Sequence, residues 1–96
     1  MDEFFQEHRA WFQRHLADRA TPARQMVKLM EEVGELAHEV FRSPGMPTTG
    51  MADAVGDIII SAFSCAAALG LDPIACVACA WRDVRQRDTE RIAEGK

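Results

Sequence analysis

Two short stretches set carboxylates one helical turn apart. EEVGE at positions 31–35 carries Glu31, Glu32 and Glu35, and DAVGD at 53–57 carries Asp53 and Asp57. Residues three or four apart share one face of a helix, so each stretch, if helical, presents acids side by side. The second stretch heads a run from Ile58 to Leu71 that contains no charged residue. A carboxylate at the edge of such a run is costly unless it is paired or bound to a cation. Facing helices that contribute carboxylates at this spacing are how helical bundles hold metal ions. Mg²⁺ takes few carboxylates, keeps several waters and commonly shares its remaining positions with substrate phosphates. Lys28, Arg82, Arg85 and Arg87 are cations available for that phosphate charge. Such a set could assist attack on a phosphoanhydride. Plainer readings stand beside it. The glutamates could form a solvated helix face, with Lys28 and Glu32 as an i,i+4 ion pair. The aspartates could complement the positive end of a helix dipole, which explains Asp53 better than Asp57.

These residues need elements to position them. Proline and glycine divide the chain into four helical segments, with no period-two run and no Asn-Gly or Asp-Gly hairpin. The first covers about residues 2–18, where Phe4, Phe5, His8, Trp11, Phe12, His15 and Leu16 recur at helical spacing. The second starts at Thr21-Pro22 and ends near Arg42, before SPGMP. The third starts near residues 49–52 and runs to Leu69, with Gly70 as C-terminal cap. Asp72-Pro73 opens the fourth, which runs to about Ile92 and leaves a frayed tail, AEGK. On a wheel of the second segment, Lys28, Glu32, Glu35 and Glu39 fall within about 60° of one another. Leu29, Met30, Val33, Leu36, Ala37 and Val40 form the opposite, broader face, which is the expected core face. The third segment is apolar nearly all round and is expected to be buried nearly all round. Four helices with short connections predict an all-α bundle in one domain over residues 1–96.

Composition narrows the function classes. The chain has 96 residues, 48% hydrophobic and 27% charged, a globular balance. Fifteen acidic against eleven basic residues give a net charge of −4, and no basic stripe interrupts it. That argues against non-specific nucleic-acid binding. The opening MDEFFQEH has acids where a secretory signal needs basic residues, and the run 58–71 is shorter than the roughly 18–20 residues a bilayer takes. Three cysteines, an odd number, fit a reducing cytoplasm. The expectation is a cytoplasmic protein with no membrane and no nucleic-acid partner. The apolar content exceeds what one monomer of this size easily hides, which places Met51, Ile59 and Phe63 at an expected subunit interface.

Taken together, KLMEEVGELAHEV (28–40), a proline/glycine loop, DAVGDIIISAFSCAAALGLD (53–72) and AWRDVRQR (80–87) resemble the MazG-like, all-α nucleoside triphosphate pyrophosphohydrolases. The resemblance spans residues 24–88. It implies a four-helix bundle-like fold that assembles as a homodimer or homotetramer. It implies hydrolysis of (d)NTP to (d)NMP and pyrophosphate with Mg²⁺, or Mn²⁺ in its place, in nucleotide-pool housekeeping. The family's ExxE pair falls on Glu32 and Glu35, and its second motif, usually ExxD, ends on Asp57. Ala54 stands where that motif has Glu, and Asp53, one residue earlier, substitutes as in a DAxGD-type variant. The implied metal ligands are therefore Glu32, Glu35, Asp53 and Asp57. Glu31 or Glu39 would orient or deprotonate the attacking water, so the catalytic set is Glu31, Glu32, Glu35 and Asp57, with Glu39 as the alternative to Glu31. The family's phosphate-contacting Asn and Lys align with Arg82 and Arg85, joined by Lys28. Arg82 cannot act as an oxygen ligand. The competing reading is a catalytically inactive helical module that oligomerises or binds a nucleotide, and Ala54 and Arg82 are the residues that favour it.

Three further signals admit two readings each. His8, Trp11 and His15 share one face of the first segment and are candidates to hold a nucleobase, with core packing as the alternative. Glu35-x-x-His38 is half of a di-iron signature whose second copy the sequence lacks. Cys76-x-x-Cys79 with Cys65 lacks a fourth zinc ligand, and buried small hydrophobes is the better reading.

Overall fold

A computed structural model describes residues 2–16 and 18–95 as four helices with no strand: α1 (Asp2–His15), α2 (Pro22–Arg42), α3 (Thr49–Ala68) and α4 (Pro73–Ala93). Each boundary has a local cause. Thr21 caps α2, its hydroxyl accepting from the Arg24 amide at 3.1 Å, and Pro22 occupies the first turn. Thr48 caps α3 in the same way through the Met51 amide. At the end of α3, Gly70 adopts φ +74°, and the amides of Leu71 and Gly70 donate to the carbonyls of Ala66 and Ala67. That is a Schellman turn, which needs the left-handed residue glycine supplies. Asp72 then caps α4 through the Ile74 and Ala75 amides. The first helix stops at His15, short of the expected 18. Ala17, within that expectation, and Lys96 of the tail lie outside the described residues.

The chain is all-α, as the periodicity predicts. Its packed part is α1 to α3. α2 and α3 run antiparallel: the Glu39 carboxylate reaches Gly50, and Glu31 and Glu35 share a groove with Asp57. α1 crosses the outer side of α3 through an aromatic cluster in which Phe12 and Phe63 are buried. The Phe4 and Phe63 rings lie 5.4 Å apart, and His8 meets Phe63 edge-on at 5.8 Å. α4 touches the rest only at its start. Pro73 is buried and Ile74 half-buried, and every residue from Ala75 to Gly95 is exposed. The Cα radius of gyration is 16.4 Å, against about 12.5 Å for a compact chain of this length.

Two expectations about burial are corrected. The apolar face of α2 is only partly its core face: Met30, Val33 and Val40 are exposed and Leu29, Leu36 and Ala37 half-buried, while Glu32 is buried. α3 is not buried all round: Val55, Ile59 and Ile60 are exposed. The reason is the same for both. α3 covers one flank of α2, and α2 and α1 cover two flanks of α3, so a further flank of each helix stays open. For the same reason Cys76 and Cys79, expected to be buried, are exposed on unpacked α4, and Cys65 is half-buried. By length and composition α3 is the one helix, among the described residues, that could cross a membrane. In this structure it is the central helix, in contact with α1, α2 and α4.

Candidate functional site: a carboxylate groove between α2 and α3

α2 and α3 bring their acids to one groove of about 550 Å³. Glu31, Glu35, His38 and Glu39 line it from α2, and Gly50, Asp53, Ala54 and Asp57 from α3. Antiparallel packing does this directly. The acids sit at one-turn spacing on each helix, and pairing of residue 39 with 50 sets the two acid rows level. Gly50 lets the Glu39 carboxylate lie close against α3. A Cβ there would lie 2.9 Å from Glu39 Oε2 and 3.2 Å from its carboxyl carbon.

Glu32 occupies a different position. It is 5% exposed, on the α3-facing side of α2, and does not line the groove. Its Oε1 accepts from Lys28 Nζ at 2.9 Å, and its Oε2 is buried without a hydrogen-bond partner. An unpartnered buried oxygen of this kind costs about 1–3 kcal/mol. The hydrogen bond and charge of Glu32 raise the Lys28 pKa, and Glu31 and Glu35 add to the rise. The ammonium therefore feels Glu31, Glu32 and Glu35 together, although its side chain stays largely in solvent.

The donor set is oxygen-rich and anionic, which suits a hard divalent cation. Among the described residues, no three His, Cys, Asp or Glu side chains converge closely enough to hold an ion as they stand. Glu35, Asp53 and Asp57 are the groove residues that could take one, with Glu31 and Glu39 beside them. The free Oε2 of Glu32 is the atom most in need of a partner.

Of the residues expected at the site, the groove gathers Glu31, Glu35, Asp53, Asp57 and Glu39, and leaves Glu32 buried beside it. Lys28 is committed to Glu32. Arg82 and Arg85 stand on α4, where the Arg82 guanidinium donates to Cys79 Sγ at 3.4 Å, and neither lines the groove. The base candidates divide as well. His8 is buried, its Nε2 3.0 Å from Ser64 Oγ, among Phe4, Trp11, Phe12 and Phe63. Burial lowers its pKa. His15 is exposed. Trp11 is 39% exposed and lines a hollow of about 540 Å³ with Phe4, Glu7, Arg14 and Ile60. Ile60 lies one turn past Asp57 on α3, so the Trp11 hollow and the carboxylate groove are neighbours along that helix.

Sequence reasoning did not single out Gly50, and it read His38 only as part of an incomplete di-iron pair. The signal for Gly50 was available: a glycine in the first turn of a helix, where it has no helix-forming value, asks for a steric reason. His38 lies at the groove because it is two helical turns from Glu31 and shares its side of α2.

No protein-family model, no curated protein and no solved structure matches this chain.

Proposed function

We propose that the chain is a divalent-cation-dependent nucleoside triphosphate pyrophosphohydrolase of the MazG-like kind, converting (d)NTP to (d)NMP and pyrophosphate. The observation that supports this reading most is the alignment of five carboxylates from two antiparallel helices along one groove, beside a buried carboxylate oxygen that has no partner. Glu35, Asp53 and Asp57 would hold Mg²⁺ or Mn²⁺, with the unpartnered Glu32 oxygen beside them. The ion, when bound, neutralises triphosphate charge and acidifies a bound water. Glu31 or Glu39 accepts the proton of the water that attacks the α-phosphorus. The bond from that phosphorus to the α,β-bridging oxygen breaks, and pyrophosphate leaves. Trp11, in the adjoining hollow, offers its ring face to the base, and His8 holds Trp11 in place from the core. Lys28, paired with Glu32 on the groove's own helix, is the cation that would take phosphate charge; Arg82 and Arg85, on α4, do not line the groove. The protein works in the cytoplasm on nucleotide pools.

One observation favours the second reading, a non-catalytic module. Ala54, buried on the groove wall, contributes no oxygen where the related enzymes have Glu. Glu35→Gln and Asp57→Asn separate the two. Both should keep the helical circular-dichroism signal and lose at least about 100-fold in Mg²⁺-dependent turnover, the scale on which removal of a charge-stabilising group acts. Full turnover in either variant would defeat the scheme.

A further inference from the structure

Two thiols on α4 take no part in the carboxylate groove. Cys76 and Cys79 stand three residues apart, and both are exposed. α4 is helical through both of them. Residues at that spacing are neighbours on one helix face, with Cβ atoms about 5–6 Å apart. Ala75, one turn before Cys79, and Ala80, one turn after Cys76, are too short to cover the sulfurs. Arg82, one turn beyond Cys79, donates from its guanidinium to Cys79 Sγ at 3.4 Å. A permanent cation thus stands beside any negative charge that gathers on the sulfur pair.

The spacing separates the two things that paired thiols do. A disulfide needs Cβ atoms about 3.5–4.5 Å apart, so closing one here would pull the first turns of α4 out of shape. A bridging ion asks for less. A thiolate–metal bond is about 2.3 Å long, so two sulfurs on either side of one ion stand about 4.6 Å apart. Side chains rooted on one helix face reach that separation by rotation alone. The number of ligands then selects the ion. Zn²⁺ takes four, and among the described residues no third His, Cys, Asp or Glu completes a group with these two. Asp72, one turn before Cys76, offers only hard oxygens, and its Oδ1 accepts from the Ile74 and Ala75 amides. Thiolates without oxygen or nitrogen partners suit a soft ion such as Cu(I), which two of them satisfy in line. Two thiolates and one monovalent cation leave one negative charge, and the Arg82 guanidinium is in place to offset it.

We propose that Cys76 and Cys79 form a binding site for one Cu(I) ion, with Arg82 as its charge partner. The two thiol protons leave to solvent as the ion binds, and no electron is transferred. The site lies in the first two turns of α4, directly after Pro73 and Ile74, the residues that pack on the rest of the chain. It is separate from the carboxylate groove and stands whether or not the chain hydrolyses nucleotides.

Anaerobic titration of the reduced chain with Cu(I) held by the chromophoric chelator bicinchoninate tests it. The wild type should withdraw one copper per chain and gain thiolate-to-copper absorption in the near ultraviolet. Changes around a metal's ligands cost about 10- to 100-fold in affinity. Arg82→Gln should therefore weaken binding about tenfold, and Cys76→Ser and Cys79→Ser, which remove ligands, more than about 100-fold. Cys65→Ser should bind like the wild type. Because Cys76 and Cys79 are exposed, their serine variants should keep the helical circular-dichroism signal. A wild type that withdraws no copper would overturn the proposal. So would wild-type affinity in either Cys76→Ser or Cys79→Ser, a loss in Cys65→Ser, one copper shared between two chains, or tighter binding of Zn²⁺ than of Cu(I). Unchanged affinity in Arg82→Gln would overturn the part given to Arg82.

Discussion

His8 illustrates how a side chain that could touch a ligand is instead made part of the frame. It is buried in an aromatic cage and its ring nitrogen meets Ser64 at 3.0 Å across 56 residues of sequence. Burial favours the neutral ring, so its pKa in the folded chain lies below the ordinary 6.5. The unfolded chain then takes up a proton before the folded one does, and stability rises with pH in that window. His8 thus contributes stability that is full above pH 6.5 and is lost as pH falls through the folded pKa. Urea midpoints measured between pH 7.5 and 5.5 should fall with pH in the wild type, and His8→Gln should flatten the slope. The carboxylates are the opposite case. Their one-turn spacing made them legible in the sequence, because a helix face depends on local periodicity alone. Which carboxylate would be buried was not legible. The wheel groups Glu32 with Glu35 and Glu39, and only the path of α3 sends Glu32 inward and the others to the groove.

At the scale of elements, the boundaries were written in the chain and the packing faces were not. Thr21-Pro22, Gly70 and Asp72-Pro73 act through bonds within a few residues, so the helix starts and the α3 stop follow from sequence directly. Gly70→Ala forces an alanine into φ +74° and should cost about 1–2 kcal/mol. Asp72→Ala removes the acceptor for two amides and should cost about 1 kcal/mol. Chemical denaturation of the two variants measures both, and losses near zero would show that the α3–α4 corner is not held by these caps. Orientation needs a partner. Periodicity predicts that Met30, Val33 and Val40 share a face, and it makes them a core face by default. In the single chain that face meets solvent, since the helices that pack on α2 and α3 cover other flanks. Four segments of helix likewise do not fix whether the fourth returns to the others, and here α4 leaves them after Ile74.

For the whole molecule, the exposed area, the open hairpin face and the extended shape fit the expectation that the chain assembles as an oligomer. Thermal stability should therefore rise with protein concentration, because only the folded form pairs. Differential scanning calorimetry at 5 and 200 μM should show a higher midpoint at the higher concentration, and equal midpoints would count against a folded oligomer. The open face of the hairpin is apolar and its groove is lined by carboxylates. The central claim concerns the carboxylate side. Its most direct test is product analysis after incubation with a panel of NTPs and dNTPs, with Mg²⁺ and with EDTA. The account predicts nucleoside monophosphate and pyrophosphate in equal amounts, abolished by EDTA. Orthophosphate with nucleoside diphosphate, or no turnover with any nucleotide, would contradict it.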